Sequence, residues 1–164
     1  MTAGVIVGSS PLLSQQPTSP SPPPQPSAKT AIPDRGPRLD ADLVREFVIA
    51  GHGNLERVKE MLAQQPALIN ATWDWGGGDW ETALGGASHM GNKPIAEYLL
   101  AHGARMDVFC ATMMGKTEIV KAYLADDPKV VDLKGPHGIS LLRHAKAGKQ
   151  DALVEMLVAK GAQA

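Results

Sequence analysis

The feature that most restricts what this chain can fold into is that it repeats itself. The segment "GNLERVKEMLAQQPALIN", starting at Gly53, aligns without a gap on "GKTEIVKAYLADDPKVVD", starting at Gly115. Val58 then falls on Val120, Leu62 on Leu124 and Pro66 on Pro128. A second pair, "ETALGGASHMGNKPIAEYLLAHGA" from Glu81 and "ISLLRHAKAGKQDALVEMLVAKGA" from Ile139, puts Thr82 on Ser140, Leu84 on Leu142, Ala87 on Ala145, Leu99 on Leu157 and Gly103 on Gly161. The pairs interleave into four units of roughly 33 residues, a period that dictates stacking because no single unit can hide its apolar face.

Each recurring residue has a physical task. Thr82 and Ser140 can cap a helix by accepting a backbone N–H, and the Leu and Ala positions after them let neighbouring helices approach closely. Gly53, Gly91 and Gly115 suit the turn between two helices, and Gly103 and Gly161 the end of the second, where a positive φ costs glycine little. Apolar pairs such as Leu99/Leu100 and Tyr123/Leu124 are expected to bury against adjacent units.

The boxes "TALGGA" at Thr82 and "SLLRHA" at Ser140, with the endings "LLAHGA" and "MLVAKGA", resemble the ankyrin repeat over about residues 39–164. The spelling "WDWGGGDWETALG" with "GPHGISLL" is also similar to small bacterial ankyrin proteins. The resemblance implies an all-α solenoid of about four helix–turn–helix repeats. It further implies recognition of other proteins through finger loops and inner helices, with no cofactor.

Composition agrees with one such unit. In 164 residues the apolar fraction of 43% suffices for a core, while only 4% aromatic residues suits closely packed helices better than a β-sandwich. A formal charge of -1 provides no global attraction for nucleic acid or an anionic membrane. The lone Cys110 excludes an internal disulfide and a multi-cysteine zinc site, and its apolar neighbours predict burial. Residues 1–38 are a different material, rich in Pro, Ser and Gln, and are expected to form a disordered tether to the domain at 39–164. The stretch from Ala3 to Leu13 has the apolar character of a signal h-region without a preceding Lys or Arg, and is too short to span a bilayer. The chain as written therefore reads as cytoplasmic and monomeric, or as exported if that stretch is the remnant of a longer signal.

Two departures from the period matter more than the matches. Gly53 to Gly91 is 38 residues, whereas Gly91 to Gly115 is only 24. The long interval holds "WDWGGGDW", Trp73 to Trp80, and predicts an enlarged finger between units one and two. The short interval leaves unit three little or no finger and a short first helix. Alternation along the finger puts Trp73 and Trp75 on one side, opposite Thr72 and Asp74, and predicts that they pack as a pair while Trp80 covers the start of the next helix. The tryptophans are thus a mixture of partner anchors and structural cover.

Candidate chemistry is sparse at the level of motifs. "GKT" at Gly115 has Cys110 where a phosphate-binding loop needs glycine. Gly76 to Gly78 are flanked by Asp74 and Asp79, which would repel an anion and favour a turn. No histidine has a second His or Cys at helical ligand spacing, so a metal site would need Asp or Glu partners assembled across units, and hydrogen bonds to backbone or a neighbouring loop are the expected role of His52, His89, His102, His137 and His144. No catalytic set, metal or cofactor is therefore expected. The expected function is protein binding through Trp73, Trp75, Asp79, Trp80, Glu81, His89, Met90, Arg143 and His144. The alternative is a small enzyme or a ligand- or metal-binding protein using His89 with Asp79 or Glu81, the one combination whose positions can share a cleft. A third is a passive fragment whose terminal units need another domain.

Overall fold

A computed structural model of the chain describes Met1 and residues 36–163, so the expected tether and the stretch from Ala3 to Leu13 lie outside the described residues. Residues 37–164 form one compact unit. Its eight helices are α1 (Ala41–Gly51), α2 (Leu55–Gln64), α3 (Ala83–His89), α4 (Lys93–Ala101), α5 (Val108–Met113), α6 (Thr117–Asp126), α7 (Leu141–Ala147) and α8 (Asp151–Ala159). A two-stranded antiparallel hairpin, β1 (Thr72–Asp74) and β2 (Trp80–Thr82), precedes α3. The fold is thus mostly helical, and no described helix is long and apolar enough to cross a membrane.

Local chemistry starts most of the helices. Asp40, Asn54, Thr82, Asn92, Asp107 and Ser140 each accept a backbone N–H of the following first turn, as expected for Thr82 and Ser140. Residues equated by the internal repeat share a fate: Val58 and Val120, Leu62 and Leu124, Leu84 and Leu142, Ala87 and Ala145, and Leu99 and Leu157 are all buried. Pro66 and Pro128 both open short 3-10 turns. Gly91 takes φ 68° and its repeat equivalent Lys149 takes φ 54°, so the turn geometry is kept even where the glycine is not. Gly53 is a correction, because it adopts no positive φ. Tyr123 is another: it is exposed, leaving Leu124 alone to bury on that turn.

The helices form four successive pairs, α1 with α2, α3 with α4, α5 with α6 and α7 with α8, and the first helices pack α1 on α3, α3 on α5 and α5 on α7. Unit three has a first helix of only six residues, and among the described residues no strand precedes it, as the short glycine interval predicts. The consequence is larger than a missing finger: α3 also touches α7 directly. Gly91 permits this approach, since a Cβ there would collide with the backbone carbonyl of Ala147. Units two and four, separated in sequence by a whole unit, become spatial neighbours at their finger ends.

Candidate metal centre

The finger is a tight turn and not a free projection. Gly76, Gly77 and Gly78 all have positive φ, and Asp74 Oδ1 accepts the N–H groups of Gly76 (2.8 Å) and Gly78 (3.2 Å). The turn chemistry expected of the glycines is what they perform. In the hairpin register Trp73 stands opposite Glu81 and Asp74 opposite Trp80, so Trp73, Trp75 and Glu81 share the inner face. Trp73 packs on the core of the first two units. The ring of Trp75 instead meets His52 and His137 at 6.4 and 5.9 Å between centroids, which corrects the expected pairing of Trp73 with Trp75. Trp80 is 59% exposed and so does not serve as a cover.

Around Glu81 the fold assembles what no sequence spacing announces. His52 follows the C-terminus of α1, Glu81 is central in β2, His89 ends α3, and His137 lies in the loop before α7. One ligand-type atom from each of the four lies within 4.8 Å of all the others. Glu81 Oε1 is 2.9 Å from His89 Nε2, and Glu81 Oε2 is 3.4 Å from both His52 Nε2 and His137 Nε2. The Nε2 atoms of His89 and His52 are 3.2 Å apart. Glu81 is 1% exposed. Burial pushes its carboxyl pKa up, but hydrogen bonds from His89 and Trp75 and the nearby imidazoles outweigh this, and the group is held below the ordinary glutamate value. It is a buried carboxylate.

The orientation of each ring is set from behind. His52 Nδ1–H donates to Val48 O at 3.0 Å, and His137 Nδ1–H donates to Asp79 Oδ2 at 2.7 Å. Both rings therefore aim Nε2 at the Glu81 carboxylate, a contact that a cation satisfies, whether a proton on the ring or a metal ion between ring and carboxylate. Trp75 Nε1–H donates to Glu81 Oε2 at 2.8 Å and fixes the carboxylate. His137 holds a left-handed backbone, φ 58° and ψ 22°, uncommon for a residue with a Cβ, and its N–H donates to Asp79 Oδ1 at 2.8 Å. That backbone hydrogen bond is also the main reason the Asp79 carboxyl lies below its ordinary pKa. Asp79 and His137 are 58 residues apart, the offset of the second repeat pair, so equivalent points of two fingers meet. The second glycine of "TALGGA" is explained here too: a Cβ on Gly86 would lie 2.8 Å from the His52 ring.

A tetrahedral ion with ligand bonds of about 2.05 Å separates its ligand atoms by roughly 3.3 Å. Separations of 2.9 Å to one Glu81 oxygen, 3.4 and 3.4 Å to the other, and 3.2 Å between two of the Nε2 atoms lie near that edge, within a cluster whose ligand atoms span up to 4.8 Å. Three imidazoles and one carboxylate suit a borderline transition-metal dication such as Zn²⁺. Hydrogen-bonded second nitrogens, one on a backbone carbonyl and one on a carboxylate, are the support that metal-ligating histidines usually carry.

No protein-family model matches the chain, and a search of curated proteins finds no match.

Among the residues expected to bind a partner, the structure brings His89, Glu81, Asp79 and Trp75 together at this centre. Two of the nine need correction as contact residues. Glu81 turns inward because the hairpin register puts it on the face that packs over α1. His144 is 0% exposed, because α7 is clasped by α5 and the Phe109 ring lies 5.1 Å away; its Nδ1–H donates to Ser140 O at 2.9 Å. Met90 is 59% exposed and Arg143 is exposed, as a contact role requires. His102 Nδ1–H donates to Tyr98 O at 2.8 Å, as expected of a structural histidine. Sequence reasoning passed over His52 and His137 as turn residues. The available signal was that His52 closes α1 in the turn before α2 and His137 precedes α7 at a unit boundary, places where the stack brings separate loops together.

Proposed function

We propose that this chain is an ankyrin-type repeat stack in which two fingers and the ends of two helices hold one divalent transition-metal ion on His52, Glu81, His89 and His137. The observation that carries the reading is the convergence of three Nε2 atoms on a buried carboxylate, two of them with tautomers fixed by hydrogen bonds on the far nitrogen. The matching burial of repeat-equivalent residues supports the ankyrin assignment. It is the metal-binding form of the alternative in which His89 works with Glu81. Four protein ligands would fill a tetrahedral site, so an ion there would first hold these segments together; it would polarise a bound water or carbonyl only by expanding to five ligands on the side left accessible by the partly exposed His52 and His137.

The test is titration of chelator-stripped protein with Zn²⁺ or Co²⁺, read by calorimetry and by tryptophan fluorescence, which comes wholly from Trp73, Trp75 and Trp80 in the finger. One ion per chain is expected, with loss of binding in His89→Ala and Glu81→Gln. Equal uptake by these variants and the wild type would remove the proposal.

Protein docking stays as a second proposal on one observation, the large exposed side chain of Trp80 at the finger. Trp80→Ala leaves metal uptake intact and abolishes partner capture if that reading holds; unchanged capture defeats it.

A further inference from the structure

Beside the metal centre, a cleft of about 440 Å³ lies between the end of α3 and α7, lined by His89, Met90, Ile139, Arg143, Lys146 and Ala147. Its ionisable lining consists of bases alone. Arg143 and Lys146 stand one turn apart on α7, so both long side chains rise from the same side of the helix. Neither has an ion-pair partner among the described residues, whereas Arg57, Lys59 and Lys121 each lie against a glutamate. Two exposed like charges on one helix face, with no counter-charge against either among the described residues, form a field that a bound anion neutralises. The other cleft near the centre, about 310 Å³, is lined by Asp79 and Asp107 as well as Lys134, and so offers an anion no such field.

We infer that the α3–α7 cleft recognises a small oxyanion, a carboxylate or a phosphate, placed next to the metal through the shared residue His89. Arg143 supplies a planar fork that matches either anion in two parallel hydrogen bonds, and Lys146 adds a point charge. The apolar walls, Met90, Ile139 and Ala147, accommodate a carbon skeleton attached to the anionic group. The cleft therefore assigns a ligand class, organic acids or phosphate esters, to the proposed metal centre, and in that respect it rests on the metal reading.

The experiment titrates inorganic phosphate and, separately, succinate into wild type and an Arg143→Ala, Lys146→Ala double variant. Each protein is measured both Co²⁺-loaded and metal-free, with Lys160→Ala as a control for bulk charge. The expected result is binding to wild type and to the control, weakened about tenfold or more in the double variant at unchanged cobalt content. Preference for phosphate or succinate identifies which oxyanion the cleft favours. Equal affinities in wild type and double variant, or no binding of either anion by wild type, overturn the inference. Should the protein take up no cobalt, the metal reading fails, and the metal-free comparison alone still decides whether the cleft is an anion site.

Discussion

At the scale of single residues, the proposed centre depends on groups that would not touch an ion. Asp79 holds His137 twice, through the backbone N–H at 2.8 Å and through Nδ1 at 2.7 Å, and so fixes both a left-handed backbone and a tautomer. Asp79→Asn keeps the size but loses one acceptor and the charge, and the ring is then free to turn. Metal affinity is expected to fall about 10- to 100-fold, with helix content unchanged, when Zn²⁺ is titrated against a competing chelator. Unaltered affinity would show that His137 needs no orienting partner. Asp79 was legible in the sequence as a candidate, but its role was not, because the residue it orients lies 58 positions away. Likewise "GGG" reads as turn chemistry from composition alone, whereas the requirement for Gly86 appears only when the His52 ring is packed against it.

At the scale of elements, α7 combines a buried histidine with the exposed cations of the cleft. His144 Nε2 has no hydrogen-bond partner among the described residues, and burial, the largest influence, pushes the imidazole pKa below its ordinary value of about 6.5. The sign follows from proton uptake: as pH falls through about 6.5 the unfolded chain binds a proton that folded His144 refuses, so stability drops on acidification. Its slope reaches at most about 1.4 kcal/mol per pH unit and ends below the folded pKa. His144→Leu is expected to flatten the fall in unfolding free energy between pH 7.5 and 5.5, measured by urea denaturation. Parallel curves for variant and wild type would rule His144 out as the source. The periodicity of α7 was readable, since Leu141, Leu142 and Ala145 are buried as the repeat requires. The inward turn of His144 was not, because a helix pattern does not say how much of its circumference a neighbour such as α5 will cover.

At the scale of the whole domain, the four proposed ligands come from the first, second and fourth units, so an ion there would tie together parts of the chain that the stack otherwise joins only through neighbours. Free metal at 100 times its dissociation constant is expected to add about 2.7 kcal/mol of stability. Chelation should accordingly lower the melting temperature and speed hydrogen exchange in both loops together, residues 75–82 and 134–140. Protection confined to one loop, or none, would contradict a bridge between units. The sequence by itself determined the helical repeat, the caps Thr82 and Ser140, the burial of the repeat-equivalent Val, Leu and Ala positions, the enlarged second finger and the shortened third unit, because these follow from spacings that hold within one or two turns of backbone. It also marked His89 with Asp79 or Glu81 as the combination able to share a cleft, and the structure sets Glu81 against His89. Only the tertiary structure decided that α3 reaches α7 past the short α5, and hence that His52 and His137 close around that pair. The reason is physical: a ligand set depends on the convergence of side-chain atoms to within 4.8 Å, and three of these four residues lie in a loop or at helix ends whose meeting is fixed by the packing of other units.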